Sequence, residues 1–380
     1  MKVSVLCFDL AGNAAGRAFL LARLLEPLGE VEVVGPRYGE TVWEPVASGR
    51  IACRAVPGAK FPRFAASLPA LLRLADGDLL YASKPRLASA GVGYVKRLGA
   101  HRPLLLDIDD WEVGFFLRSG VLGAVGRALN LANPAGLPWT WLTERLRWIA
   151  HGITVASRFL ERRFGGTLIP HVRDTDAWTP GGVDPLEARR RLGVAGKRVV
   201  MFLGTPRAYK GVEDLCAAVA RLGRRDVTLA LVGTDPASAT GRALAGRYPG
   251  VRLVGRIPFD HVPRYLAAAD VVAVPQRDTS DTRGQTPAKL FDAMALGRPI
   301  VSTRVSMIPE ILDGSGLLVP PGDVAALGDA IGHLLDHPDE AAALGGRARE
   351  RCVAEYSFAA ARRKLFPLVE RVMAQGGVRV

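Results

Sequence analysis

The chain has 380 residues, 49% of them hydrophobic, which is too many for one typical domain and suits two of moderate size. Its formal charge of +13, from 50 Lys+Arg against 37 Asp+Glu, favours anionic partners such as phosphorylated small molecules, nucleic acid or acidic lipid, and arises equally from a genome rich in arginine codons. The basic residues are scattered without an aromatic-basic motif, the cysteines and histidines show neither CxxC nor HExxH, and no run of eighteen apolar residues is unbroken, so nucleic-acid binding, a zinc site and a membrane span are not expected.

In chain order, "KVSVLCF" is a β-rich run, and the opening "MKVSVLCFDLAG" reads as a buried strand rather than a signal peptide. "GRAFLLARLLEPLG" has helical periodicity, with Leu20, Leu21, Leu24 and Leu25 on one side. "EVEVVG" is a second strand. "DLLYAS", the helix "RLASAGVGYVKRLG", "PLLLDIDD", "GITVAS" and "GTLIPHV" continue the alternation. The stretch 119–148 stands apart, with Trp139, Trp141 and Trp148 beside Arg145 and Arg147. It either touches a membrane or a lipid-linked acceptor, or packs its tryptophans into the N-terminal domain. "TPGGVDPLEARRRLGVAGK" changes texture and places a linker at 173–196. From "RVVMFLG" onward strands and helices alternate again. The fold class is α/β, with two Rossmann-like, doubly wound parallel-sheet domains: 1–172, and 197–356 after the linker. Ligands of such a pair bind in the cleft facing the carboxyl ends of the strands.

Two stretches carry candidate chemistry. In "GQTPAKLFDAMALGRPIVS", Thr286 suits an N-cap, Pro287 the first helical position, and Gly297 the place just past the helix. The amides of Ala288 and Lys289 then point out of the helix start, a ready anion site to which Lys289 adds charge. Asp292, three residues on, shares its face with Lys289. That arrangement suits a nucleoside diphosphate, with phosphates at the helix mouth and ribose on the acid; taken alone, it equally suits a surface salt bridge. In "MFLGTPRAYKGVEDL", a strand ends at Gly204, and Arg207 and Lys210 project where the cleft is expected. Two fixed cations there can neutralise a diphosphate leaving group.

With these stretches in this order, together with "IPHVRDTDAWTP", "VRLVGRIPFDHVPRYLAAADVVAVP", "SMIPEIL" and "GLLVPPGDVAAL", the chain resembles the family 4 (GT4) retaining glycosyltransferases of the GT-B fold over nearly its whole length. The resemblance implies two Rossmann-like domains facing a central cleft, a nucleotide-sugar donor held mainly by the C-terminal domain, and residues 357–380 crossing back onto the N-terminal one. It matches Lys210 to a lysine on the donor diphosphate. Thr205 stands where the family has an arginine, with Arg207 as substitute. Asp292 matches the second acid of a Glu-x7-Glu motif that holds the ribose. The first acid falls at Gly284, leaving Gln285 or Lys289 to contact the sugar. Gly12 and Gly16, in "GNAAG", occupy a glycine loop near the donor phosphates. Asp109, with Asp110 beside it, stands at a histidine near the anomeric carbon. Glu310 matches a glutamate near the donor, and Arg256 and Ile257 lie where relatives hold the base. Buried adjacent carboxylates are costly unless used, so Asp109 or Asp110 is expected to position the acceptor hydroxyl or take its proton.

The expected activity is transfer of a sugar, with retention, from a nucleoside diphosphate to a hydroxyl acceptor. Domain closure excludes water, and no metal or cofactor is required. Arg207, Lys210, Lys289 and the amides of 286–289 stabilise the leaving group. A cytoplasmic location is expected, or a peripheral one on the inner face of the membrane through 119–148. Two alternatives stay open: a non-catalytic GT-B subunit that binds nucleotide or a partner glycosyltransferase, and a nucleotide-sugar epimerase.

Overall fold

The computed structural model describes residues 1–47, 49–116, 126–127, 129–279, 282 and 284–376. The chain forms two compact units, Met1–Pro170 with Ala361–Val380, and His171–Ala360.

The first unit is built on β1 (Lys2–Leu6), β2 (Glu30–Arg37), β3 (Ala52–Pro57), β4 (Leu79–Ser83), β5 (Leu104–Ile108), β6 (Gly152–Val155) and β7 (Thr167–Leu168), in the order β3-β2-β1-β4-β5-β6-β7. Every pairing is parallel. Parallel sheets are covered on both faces, which is why β4 and β5 are buried at every residue and are apolar apart from Ser83 and Asp107. The strand order reverses between β1 and β4, and such a reversal opens a crevice at the carboxyl ends.

One buried ion pair fastens this unit. Arg17, on the helix Ala14–Leu25, forks onto Asp107 of β5 at 2.9 and 2.8 Å and also donates to the carbonyls of Ile169 (2.7 Å) and Pro170 (3.0 Å). Thr154 donates to Asp107 at 2.7 Å and meets Tyr81 OH at 2.7 Å. Both charged side chains are essentially sealed from solvent. Asp107, formally part of a D-x-D, is therefore a partner of Arg17. The last helix, Phe358–Gln375, adds Leu365, Val369 and Val372 to the core. Arg362 on it donates to the carbonyls of Arg23 and Leu24, both at 3.0 Å, closing the end of the first helix.

The second unit contains β8 (Arg198–Leu203), β9 (Val227–Val232), β10 (Val251–Val254), β11 (Val271–Val274), β12 (Ile300–Thr303) and β13 (Leu317–Val319), ordered β10-β9-β8-β11-β12-β13 and reversing between β8 and β11. The stretch 173–196 lies in this unit. Asp184 caps the helix Pro185–Leu192 through the amide of Leu186 (2.9 Å), and Arg189 ties that helix to Asp270 at 2.7 Å.

The strand β3 and the helix Arg63–Leu74 were not anticipated. Pro69 interrupts the apolar spacing of Phe64, Leu68 and Leu71 that would have shown the helix.

Arg17→Met is expected to cost about 3–5 kcal/mol, because it leaves a buried carboxylate unpaired. Adding Asp107→Asn should recover much of the loss. Five of the six tryptophans lie in the first unit, so urea denaturation followed by tryptophan fluorescence reads this directly. A loss below about 1 kcal/mol would show that the pair is dispensable.

Candidate functional site

In the second unit the carboxyl ends of β8 and β11 flank the order reversal. β8 runs into Gly204, at φ +120°, and the turn Ala208–Lys210 follows. Gly211, at φ +64°, begins the next helix, and a Cβ there would stand 1.9 Å from the Pro275 carbonyl, so only glycine fits. The loop after β11 braces this turn. The Arg277 amide donates to the Tyr209 carbonyl at 2.8 Å, and the Arg277 guanidinium forks onto Asp214 at 2.7 and 2.6 Å.

Two amines converge over Gly204. A Cβ on that residue would lie 3.6 Å from Lys289 Nζ and 3.8 Å from Lys210 Nζ. Lys210 donates to the Thr205 carbonyl at 2.9 Å, and Lys289 Nζ rests 4.5 Å from the centre of the Phe202 ring. Neither has a carboxylate at ion-pair distance among the described residues. Burial, and then Lys210, hold Lys289 well below the usual lysine range. Burial, and then Arg207, bring Lys210 down to about 8. Arg207 and Thr205 are exposed on the same turn.

The helix Ala288–Ala295 points its start at this edge. Pro287 takes the capping position, one residue later than the N-cap expected at Thr286. Leu290 is the first to bond back, to Pro287 at 3.0 Å, which leaves the amides of Ala288 and Lys289 unused by the helix. Gly297, at φ +60°, ends it as anticipated, with its amide on Met294. Gly284 is buried, and the Gln285 amide donates to the Thr282 carbonyl at 3.1 Å. Three buried polar atoms in these loops have no hydrogen-bond partner: Thr234 Oγ1 after β9, Gln276 Nε2 after β11, and Thr286 Oγ1. Buried polar groups are ordinarily satisfied, so three orphans along one sheet edge point to a ligand.

Asp292 differs from expectation. It is 7% exposed, and its partner is Arg173, which donates to it through Nε and to the carbonyls of Ala288 (3.0 Å) and Val172 (2.7 Å). Lys289 turns instead toward Gly204. Any ribose contact must therefore share the carboxylate with Arg173. Arg256 is exposed and Ile257 half-buried beyond β10, two strands from β8. Glu310 is exposed on the helix Ile308–Leu312, where its carbonyl accepts from Arg351 at 2.9 Å. Ser306, just before that helix, adopts φ +52°.

In the first unit, Gly12 precedes and Gly16 lies within the helix Ala14–Leu25, with an acid beside the first of them. The Asp9 carboxylate accepts from the Ala11 amide at 2.9 Å, and a Cβ on Gly12 would lie 2.6 Å from it. A nearby carboxylate opposes an anion. Gly16 lies in the first turn of a helix, packed on Trp43. Past β5, Asp109, Asp110 and Glu112 crowd together, each with a carboxylate oxygen within 4.8 Å of the others. Lys84 Nζ reaches all three, at 2.8, 2.9 and 2.8 Å, so an ammonium bridges the cluster. Arg86 pairs with the other oxygen of Glu112. Burial, reinforced by Asp109 and Glu112 and opposed by Lys84, raises the Asp110 carboxyl to about 6.

Sequence reasoning missed Arg173, Lys84, Arg86, Glu112, Thr234 and Gln276. Arg173 and Asp292 are partners across 119 positions, a distance no local pattern spans. The signal for Lys84 was a cation directly after a wholly buried strand.

Residues 197–337 match the family described as "Glycosyl transferases group 1". Among curated proteins the chain is 34% identical over 211 residues to the GDP-mannose-dependent alpha-(1-6)-phosphatidylinositol monomannoside mannosyltransferase of Mycolicibacterium smegmatis, covering 51% of this chain and 55% of that one. The chain spans about half the length of the first curated relatives it matches. Among solved structures it resembles Anabaena Alr3699/HepE in complex with UDP-glucose (TM-score 0.75, 19% identity, 97% and 99% of the two chains). It also resembles the sucrose-phosphate synthase of Thermosynechococcus elongatus (TM-score 0.74, 21% identity, 99% and 100%). Residues 197–337 thus match a group 1 glycosyltransferase domain, and the chain as a whole has the GT-B fold.

Proposed function

We propose that this protein transfers a sugar, with retention of configuration, from a nucleoside-diphosphate donor to a hydroxyl acceptor. The observation that carries this is the convergence of Lys210 and Lys289 over Gly204, without carboxylate partners, beside the open helix start at 288–289. A diphosphate supplies the negative charge that both amines lack. The C–O bond to the donor sugar breaks with its electron pair leaving on the diphosphate. Lys210, Lys289, Arg207 and the free amides stabilise that charge as it develops. Asp292, shared with Arg173, is the ribose contact, and Thr286, Thr234 and Gln276 supply further polar contacts to the nucleotide sugar. Asp110 receives the acceptor hydroxyl. The names of relatives make GDP-mannose the first donor to try, followed by UDP-glucose.

The acceptor side is read as lipid-like. Trp139 is tucked in, donating to the Leu131 carbonyl at 2.9 Å and lying on Phe61. Trp148 is 74% exposed and Trp141 48%, with Arg145 stacked on Trp141. Exposed tryptophan beside arginine suits an anionic membrane surface. Residues 119–125 and 128 of the expected segment lie outside the described residues. No helix among the described residues is long and apolar enough to cross a membrane. Gly284, lacking the acid that the family pattern has there, keeps the non-catalytic, nucleotide-binding reading as the second.

A thermal-shift screen with GDP, UDP, ADP, dTDP and their sugars tests the donor site, since a ligand selective for the folded state raises Tm. One nucleotide class should stabilise the wild type and lose its effect in Lys210→Ala; a shift from none of them would reject the site. Lys289→Met should keep or raise the Tm of the free protein, because it removes a half-buried cation without a partner, while abolishing the nucleotide shift. Nucleotide affinity should weaken as pH rises through about 8, where free Lys210 loses its proton. Binding near that pH should take up a proton, visible in calorimetry as a dependence on buffer ionisation heat. Affinity constant from pH 7 to 9 would contradict the assignment. Trp148→Ala should reduce sedimentation with anionic vesicles and leave nucleotide binding unchanged; equal sedimentation would remove the membrane reading.

A further inference from the structure

The cluster after β5 contains a device that the donor site does not explain. Lys84 follows β4 at φ +71°, a conformation that disfavours side-chain-bearing residues. It is fixed there by its amide on the Asp107 carbonyl (2.9 Å) and by Ser89 Oγ on its own carbonyl (2.7 Å). Its ammonium holds Asp109, Asp110 and Glu112 at once. The side chains of Asp109 and Glu112 are 7% and 5% exposed, and Glu112 is also bound by Arg86. Asp110, at 22%, is the most open of the three, and among the described residues only its Oδ2 is engaged. Three carboxylates share two cations, so the cluster carries an excess negative charge that burial opposes. The open carboxylate is where that charge can be put to use.

We propose that Lys84 is a positioning residue: it clamps Asp110 through Oδ2 so that Oδ1 is presented to a hydroxyl of a polyhydroxylated acceptor. This rests on the transfer reaction proposed above. As the acceptor oxygen bonds to the anomeric carbon and the diphosphate departs with its electron pair, the hydroxyl proton passes to Asp110. Without the ammonium, the three carboxylates keep only Arg86, and at least one of them binds a proton at neutral pH.

The test compares wild type, Lys84→Met, Lys84→Arg and Asp110→Asn in two ways: pH profiles of donor turnover, and Tm against pH, the latter also for the double variant Lys84→Met with Asp110→Asn. Lys84→Met should lower kcat at pH 7 by at least about 10-fold, leave donor KM within about 2-fold, and move the acid limb to higher pH. Lys84→Arg should recover part of kcat. The effect of Asp110→Asn on the Tm profile should differ between the wild-type and Lys84→Met backgrounds, as coupled groups do. Unchanged kcat and acid limb in Lys84→Met, or identical Asp110→Asn effects in both backgrounds, would overturn the proposal. If Lys84→Met fails to fold, Lys84→Arg with a wild-type profile supports the clamp, and one with lost kcat and an unmoved limb overturns it. Absence of turnover by the wild type with every nucleotide sugar would remove the transfer reading and the acceptor role with it. The Tm comparison would still show separately whether Lys84 and Asp110 are coupled.

Discussion

A charge can be carried into the edge of a parallel sheet only when something there answers it, and that constraint organises both units. Arg17 answers Asp107, Arg173 answers Asp292, Arg277 answers Asp214, and Lys84 answers three acids together. Each of these pairs joins elements far apart in sequence. They fix the loops at the carboxyl ends of the strands more firmly than the loops' own polar backbones would. Lys210 and Lys289 break the pattern. Their nearest aromatic and carbonyl neighbours do not balance two positive charges, and their lowered proton affinity is the physical mark of that imbalance.

The topology explains why both chemistries sit where they do. Each sheet starts from a central strand, builds to one side, and then crosses to build on the other. Connecting loops therefore diverge at one place in each unit, β1 with β4 in the first and β8 with β11 in the second. The turn carrying Lys210 follows β8, and Lys84 follows β4, so both lysines sit beside the strand-order reversal of their own unit. One faces a deficit of negative charge and the other an excess. The same scaffold thus gathers amines without acids in one unit and acids in excess of cations in the other.

Much of this was legible in the residues. Alternating apolar runs and helical periodicity pointed to the parallel sheets, because strands buried on both faces leave a continuous apolar signature, as in "LLYAS" and "RVVMFL". Gly204, Lys210, Lys289 and the helix start were visible as local patterns, since strand, turn and cap are short-range features. What was not legible is who pairs with whom. The spacing of Lys289 and Asp292 suggested partners, yet Arg173 claims the acid from another loop. Gly12 and Gly16 suggested a phosphate loop, yet Asp9 folds back beside Gly12. Local spacing states what two residues can do; tertiary competition decides what they do. The helix after β3 was hidden because Pro69 disguises its apolar spacing.

The returning helix Phe358–Gln375 has a consequence for biosynthesis. The first unit is discontinuous, and the residues of the second unit, 171–360, are made before its last segment exists. At ribosomal rates of about 5–20 residues per second, that interval is roughly 10–40 s. The second unit is continuous and is free to close first. Through that wait, Gly152 of β6 lacks the Leu368 and Val372 side chains that lie against it in the finished protein. The late-made segment thus reverses the usual amino-to-carboxyl order of domain completion, and the bare apolar edge beside β6 is where a nascent-chain chaperone would have most to hold.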